Sequence, residues 1–118
     1  MFKAIALLKR RPGLSMAEFI DYYEQHHAAI GCEVLSGRAL HYTRRYLHPF
    51  PSPHDGATVE PEFDVITEAW YPDKATHDAA VANFQKPEIA ARIIADEEKL
   101  FDRSRMLFCT VEEYESAL

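Results

Sequence analysis

The order in which short apolar runs alternate with helical segments and chain breakers is the strongest constraint on the fold of this chain. Residues 2–8 are mostly apolar and lead into basic residues and Pro12-Gly13, which predicts a buried strand followed by a turn. Ser15 and Glu18 then form a capping box, in which each side chain satisfies a free backbone N–H at the start of a helix. Apolar residues continue at helical spacing, and Gly31 is predicted to end this helix.

The rest of the chain predicts three more strands and two consecutive helices. The proline-rich segment 49–61 is predicted to form a loop, and Pro87 fits the first turn of the last helix. The resulting order, β-α-β-β-α-β with an interrupted second helix, is typical of a ferredoxin-like α+β domain with an antiparallel sheet and helices on one face. The predicted segments are strands at 39–48, 63–71 and 105–110 and helices at 75–84 and 87–101.

Length, charge and cysteine content narrow the class of protein. A chain of 118 residues suffices for one core, so residues 1–118 are expected to form a single domain. The formal net charge of −6 disfavours a phosphate backbone as partner, so no nucleic acid is expected to bind. No apolar run matches a membrane span or a secretory signal, and no membrane partner is expected. Cys32 and Cys109 lack metal-ligand spacing and are expected to be reduced thiols in a cytoplasmic protein.

Both faces of the predicted sheet carry large apolar side chains, although the helices can cover only one face. On the strand at 63–71, Val65 and Tyr71 lie on one face, whereas Ile66 and Trp70 lie on the other. An apolar sheet face that is left uncovered usually marks a site of association. A homodimer in which two sheets pack face to face is therefore expected.

The chain carries none of the short motifs that identify a phosphate-binding loop, a zinc protease or a serine hydrolase. His26 and His27 are adjacent, so their side chains point in different directions on a helix and are poorly placed to bind one metal ion together. No metal site and no cofactor are expected.

His27 is the leading candidate for acid–base chemistry, because imidazole titrates near neutral pH. It falls on the sheet-facing stripe of the first helix, above strand positions whose side chains are small. Small side chains beneath a helix leave room for a small molecule. The alternative is a core histidine that is hydrogen-bonded under the end of the helix. The small strand residues are Ala4, Ala6, Thr67 and Ala69.

His54 lies next to Asp55 in the proline-rich loop, where a loop that folds over a cavity would deliver a second imidazole. The alternative is an exposed loop histidine. The other candidate groups are a second helix histidine and three tyrosines that would contact the substrate, and an arginine that would bind a carboxylate or enolate oxygen if it faces inward. These candidates are His26, Tyr23, Tyr46, Tyr71 and Arg45.

Several segments of the chain together resemble the EthD family. The opening strand with Pro12-Gly13, the capping box and the stretch 22–28 are similar to the first strand and helix of that family. Further similar stretches lie at 45–46, 63–71, 96–104 and 111–113. The resemblance covers nearly the whole chain, and it implies a dimeric α+β barrel with a pocket between the sheet and the helices of each subunit.

The resemblance extends to branches of the same superfamily that include polyketide cyclases and dehydratases, lactone methylisomerases and heme-degrading monooxygenases. EthD members usually keep a histidine that matches His27, and the methylisomerases have histidines that match His26 and His54. Ala69 stands where the methylisomerases have a cysteine, and Ile89 stands where plant cyclases have a histidine. The mechanism of those cyclases therefore does not transfer to this chain.

Residue placement and resemblance together favour a cofactor-independent lyase or isomerase, of dehydratase, cyclase or lactone-isomerase type, that acts on a small cyclic, phenolic or lactone-like metabolite. His27 and His54 are expected to be its acid–base groups. Two alternatives stay open: a heme- or oxygen-dependent monooxygenase of the same fold, and a non-catalytic dimer that binds a hydrophobic metabolite. A binding protein needs no titrating pair, so in it His27 and His54 would lie far apart.

Overall fold

The computed structural model describes residues 1–118 as one four-stranded sheet with helices packed on one face, the predicted ferredoxin-like α+β architecture. The strands are β1 (Phe2–Leu8), β2 (His41–Tyr46), β3 (Val65–Tyr71) and β4 (Leu107–Thr110). The helices are α1 (Met16–Tyr22), α2 (Ala28–Leu35), α3 (Lys74–Phe84) and α4 (Pro87–Leu100). A π-helical turn, Tyr23–His27, joins α1 to α2, and a 3₁₀ turn, Arg103–Arg105, precedes β4.

The sheet is antiparallel throughout, with the strand order β2-β3-β1-β4. In the central pair, Ala4 lies opposite Ala69 and Ala6 lies opposite Thr67. Residues directly opposite each other in an antiparallel pair point to the same face of the sheet. The four small side chains therefore form one patch at the middle of the sheet.

Helix starts follow the capping residues of the sequence. The Ser15 hydroxyl accepts a hydrogen bond from the N–H of Glu18 at 3.1 Å, and the Glu18 carboxylate accepts one from the N–H of Ser15 at 3.0 Å. Asp73 caps α3 by accepting from the N–H of Thr76 at 2.8 Å, and Pro87 occupies the first turn of α4. Each cap satisfies backbone donors that have no partner inside the helix.

The prediction that Gly31 ends the first helix is wrong, because the helical segment continues through the π-helical turn and α2 to Leu35. Gly31 instead lies against the ring of Tyr42 on β2. A Cβ atom at this glycine would be 2.7 Å from Cζ of that ring, closer than packed side chains approach. The glycine thus allows a close approach of helix and sheet, which a local sequence pattern does not distinguish from a helix stop.

β1 has the predicted bounds, whereas the other three strands are shorter than the sequence predicts. β2 is shorter at both ends, β3 begins at Val65 instead of residue 63, and β4 begins at Leu107 instead of residue 105. Asp64, which precedes β3, is buried, and its carboxylate accepts a hydrogen bond from the N–H of Arg10 at 2.9 Å. The Lys9 ammonium group lies 3.5 Å from the same carboxylate. A buried carboxylate with two basic residues as partners therefore precedes β3.

Two further findings concern the helices and the cysteines. None of the helices combines the length and apolar character that a membrane-spanning helix requires. Cys32 and Cys109 are both free thiols and form no disulfide.

The main core lies between the first helix, the end of α4 and one end of the sheet. Phe19 and Leu100 have no exposed surface and are at the centre of this cluster. The other buried members are Leu8, Tyr23, Ala28, Val65 and Phe101. Because these residues come from elements far apart in sequence, the cluster fixes how the helices sit above the sheet.

Replacing Leu100 with alanine is expected to lower the free energy of unfolding by about 2–5 kcal/mol, because the change leaves a cavity in the core. Urea denaturation followed by circular dichroism measures this loss. The matched control is Leu40→Ala, since Leu40 is 54% exposed and its truncation should cost no more than about 0.5 kcal/mol. Equal losses in the two variants would contradict the assignment of the core.

Candidate active site

A cavity of about 930 Å³ lies between the sheet and the helices. Its floor includes the four small side chains that the sequence predicts beneath the first helix, Ala4, Ala6, Thr67 and Ala69. Most of the other lining residues are apolar or aromatic, and the ionisable groups among them, apart from tyrosine and cysteine side chains, are few. Those groups are His27, His77, Glu97 and Arg103.

His27 lines the cavity at the end of the π-helical turn and is held by a carboxylate of α4. Its Nδ1 lies 2.8 Å from Oδ2 of Asp96, and the Tyr22 hydroxyl donates a hydrogen bond to Oδ1 of the same carboxylate at 2.5 Å. Asp96 is 8% exposed, so these two contacts satisfy both of its oxygens where little water reaches them. With Nδ1–H donated to Asp96, the Nε2 lone pair is the one that faces the cavity.

The electrostatics of the pair favour a neutral imidazole at neutral pH. Burial lowers the pKa of His27, and the hydrogen bond and negative charge of Asp96 only partly oppose that shift. Burial and the Asp96 carboxylate raise the pKa of Tyr22 to about 12, so its hydroxyl remains a donor. His27 Nε2 has no hydrogen-bond partner within the chain and is not sealed from the cavity. The site therefore presents an oriented proton acceptor.

The π-helical turn determines which face of the helix meets the sheet. The N–H of Ala28 bonds to the carbonyl of Tyr23, five residues earlier, so the turn holds one residue more than an α-helical turn. Tyr23 is fully buried, and its hydroxyl lies 2.6 Å from Oγ1 of Thr67 on the cavity floor. Rings of Tyr23 and Phe101 pack edge-on against His27, with centroids at 5.3 and 5.2 Å.

The other end of the cavity is lined by Tyr71 and His77. The His77 ring packs against Tyr71 and Phe2, with centroid distances of 5.3 and 4.7 Å. Tyr71 lies four residues beyond Thr67 on β3, which places it roughly 13 Å along the strand. The second histidine of the cavity is thus His77, which no motif distinguishes in the sequence.

Of the predicted site residues, Tyr23, His27 and Tyr71 line the cavity. His26 is exposed and its ring stacks on Tyr22 with centroids 4.6 Å apart. The three remaining predicted contributors, His54, Tyr46 and Arg45, also lie outside the lining. His54 stays in the exposed loop, where its N–H bonds to the Ser52 hydroxyl.

Tyr46 and Arg45 are each held by a carboxylate away from the cavity lining. The Tyr46 hydroxyl donates a hydrogen bond to Glu24, which also accepts from Arg44. Arg45 points to the opposite face of the sheet, where its guanidinium lies 2.5 Å from Glu68. The expectation that Arg45 faces inward is therefore not met, because strand parity turns it outward.

Asp96 and Glu97 are the site residues that sequence reasoning missed. Both are carboxylic acids on the mostly apolar stripe of α4, between Ile93 and Leu100. Both are also more than nine-tenths buried. The signal in the sequence is the presence of two acidic residues on the apolar stripe of a helix. Because charged side chains are rarely buried without a partner, such positions indicate a functional role.

The structure is thus a ferredoxin-like domain with an apolar cavity and an oriented imidazole. The EthD domain model matches residues 11–104, which is most of the chain. The chain therefore belongs to the EthD family, as its resemblance predicts. No curated protein matches the sequence.

Several solved structures share the fold of this chain. An EthD family protein from Bacillus halodurans shares 18% identity with a TM-score of 0.62, covering 97% of this chain and 100% of its own. A protein from Arabidopsis thaliana shares 14% identity with a TM-score of 0.59, covering 100% of both chains. An antibiotic biosynthesis monooxygenase shares 13% identity with a TM-score of 0.52, covering 98% of this chain and 100% of its own. At these identities the likeness establishes the fold.

The pKa of His27 is expected to lie below 6.5, because burial disfavours the imidazolium ion. Asp96→Asn should lower this pKa further, since the carboxylate that favours the charged ring is removed. NMR titration of the imidazole Cε1–H signal, assigned by its loss in His27→Gln, measures both values. A His27 pKa above 6.5, or a rise in Asp96→Asn, would contradict the proposed pair.

The same shift predicts a pH-dependent stability. The unfolded chain, with the higher His27 pKa, binds the proton first as the pH falls below about 6.5, so the free energy of unfolding should decrease there. His27→Gln should show a smaller decrease between pH 7.5 and 5.5 than the wild-type protein in urea denaturation.

Proposed function

We propose that this protein is a cytoplasmic, cofactor-independent lyase or isomerase that acts on a small cyclic, phenolic or lactone-like metabolite. The observation that carries the proposal is the bond between His27 and buried Asp96, which holds a neutral imidazole at the wall of an apolar cavity. An imidazole oriented by a buried carboxylate is an arrangement suited to moving protons.

The shape of the cavity supports a flat, largely apolar substrate. Its volume of about 930 Å³ is in the upper part of the range of small-molecule sites. The floor of Ala4, Ala6 and Ala69 leaves space for a ring to lie against the sheet. Tyr23 offers the substrate its ring rather than its hydroxyl, because Thr67 engages that hydroxyl.

The proposed chemistry is proton transfer next to a carbonyl group. Nε2 of His27 removes a proton from the carbon beside the carbonyl, and Asp96 stabilises the imidazolium ion that forms. Returning the proton to another carbon completes an isomerisation, whereas loss of a group from the adjacent carbon completes an elimination. Tyr22 acts as a positioning residue, since it holds the carboxylate rather than the substrate.

A non-catalytic dimer that binds a hydrophobic metabolite is the second candidate. It is favoured by the position of His54, which does not line the cavity and so supplies no second imidazole beside His27. The buried Asp96 favours the enzyme, because orienting one ring nitrogen has no evident use in an apolar binding site.

Association through the outer face of the sheet is a further part of the proposal. Ile5, Leu7, Ile66 and Trp70 lie on the face that carries no helices, and each keeps part of its surface exposed. Leu107, next to them on β4, is 46% exposed. A second copy packed on this face would cover these residues, so we propose a homodimer of face-to-face sheets.

The catalytic role of His27 is testable with 2-tetralone, a bicyclic ketone with acidic C–H bonds. In deuterated water the wild-type protein should accelerate exchange of these protons, as followed by NMR, and His27→Ala should lose about 10²–10⁴-fold of that rate. His48→Ala is the matched control, since His48 is exposed and lies outside the cavity lining. Exchange at the wild-type rate in His27→Ala would overturn the role, and binding without exchange would favour the second candidate.

The homodimer is testable by light scattering coupled to size-exclusion chromatography. The wild-type protein should have twice the 13.5 kDa mass of one chain, and Ile66→Lys should shift it towards the monomer by placing a charge in the interface. Val59→Lys, in the exposed proline-rich loop, is the control that should stay dimeric. A monomeric wild-type protein at micromolar concentration would contradict the proposed dimer.

A further inference from the structure

Glu97 is a second buried carboxyl group at the cavity, and the chemistry described above does not use it. It is 9% exposed and lines the cavity together with Ile93, one helical turn earlier on α4. Its carboxyl group makes no hydrogen bond or ion pair within the chain. The carboxyl oxygens are also not among the fully buried side-chain atoms that lack a partner. The carboxyl group therefore has no protein partner and keeps some accessible surface at a residue that lines the cavity.

Asp96 and Glu97 are neighbours in sequence but have opposite environments. Asp96 accepts a hydrogen bond from Tyr22 and lies 2.8 Å from Nδ1 of His27, so both of its oxygens have partners. Glu97 has no such donors, and burial is the largest influence on its pKa. Two carboxyl groups in different environments can take opposite acid–base roles in one site.

The charges around Glu97 are few. Burial raises its pKa, the guanidinium of Arg103 opposes that shift, and the negative charge of Asp96 adds to it. The other titratable groups of the cavity wall are two histidines, three tyrosines and a cysteine: His27, His77, Tyr23, Tyr42, Tyr71 and Cys109. Burial thus holds Glu97 closer to its protonated form, while Arg103 is available to stabilise the carboxylate once a proton has left.

The geometry points to Glu97 as the second proton-transfer group of the cavity, the acid that donates to the substrate carbonyl oxygen while His27 removes the proton from the neighbouring carbon. This inference rests on the proposed function. It is supported by the shared cavity, since Glu97 is buried, has no partner in the chain and lines the same cavity as His27. Glu97 would thus be the second acid–base group, and it belongs to the cavity wall, unlike His54 of the loop.

The proposed step is balanced in protons and electrons. The C–H bond breaks, its proton goes to Nε2 of His27, and its electron pair forms the C=C bond of an enol. The carbonyl π electrons form an O–H bond with the proton of the Glu97 carboxyl group, which becomes a carboxylate beside Arg103. In the return step the carboxylate takes back the enol proton, and the imidazolium ion delivers its proton to carbon.

This assignment also narrows the substrate class. A buried carboxylic acid that has no partner in the protein should bind a neutral oxygen acceptor, such as a ketone, lactone or quinone-methide carbonyl. An anionic group at the same position would oppose the carboxylate that forms during the reaction. The expected substrate is therefore an apolar ring system with a carbonyl group at the end of the cavity near His27.

The first test follows 2-tetralone exchange as a function of pH. The wild-type rate should fall at low pH, where His27 is protonated, and at high pH, where Glu97 has lost its proton. Glu97→Gln should lower the maximal rate at least 10-fold and remove the high-pH decrease, because the amide donates a hydrogen bond but does not titrate. Glu98→Gln, the exposed neighbour on α4, is the matched control and should keep both the rate and the profile.

The second test does not depend on turnover. In protein labelled with ¹³C at the glutamate carboxyl carbon, the signal lost in Glu97→Gln should titrate above the ordinary value of 4.5 and shift when 2-tetralone is added. The signal lost in Glu98→Gln should not respond to 2-tetralone.

The outcomes separate this inference from the proposed function. If His27→Ala abolishes exchange but Glu97→Gln leaves the rate and the high-pH decrease unchanged, Glu97 is not the acid and the function of His27 stands. If the Glu97 carbon titrates at or below 4.5 and does not respond to 2-tetralone, Glu97 does not act as an acid towards a ligand and the inference is overturned. If His27→Ala has no effect, the proposed function fails, whatever Glu97 does.

Discussion

The hydrogen bond between His27 and Asp96 is the interaction on which the site depends. It joins the π-helical turn of the first helix to α4, across 69 residues of sequence. Because Asp96 is buried and also bound by Tyr22, the bond has no competition from bulk water and keeps the ring in one orientation. Without this bond, the imidazole would be held only by its packing against neighbouring aromatic rings.

The cavity results from a contrast between the two ends of the sheet. Near Leu8 and Val65, large side chains from helices and strands pack together in the main core. Towards the middle of β1 and β3, alanines replace them, while the bond from Tyr23 to Thr67 keeps the helix tied to the sheet. The packed end provides stability, and the sparsely filled part leaves room for a ligand.

The local structure could be predicted from the sequence wherever a short-range rule governs it. The capping box at Ser15 and the helix start at Pro87 are formed as predicted. The small floor beneath His27 could also be predicted, because strand parity and helical period act over a few residues. The helix end at Gly31 could not, since the close approach of Tyr42 is a tertiary contact.

The sequence by itself determined the order of elements, the α+β class and the inward position of His27, because these follow from spacing along the chain. Only the tertiary structure decided which groups surround that imidazole. It brings Asp96 and Glu97 of α4 to the cavity and leaves His54 outside, since the docking of a distant helix and the course of a long loop depend on packing. Which groups contact a buried charge depends on how distant segments pack, so no local sequence pattern identifies them.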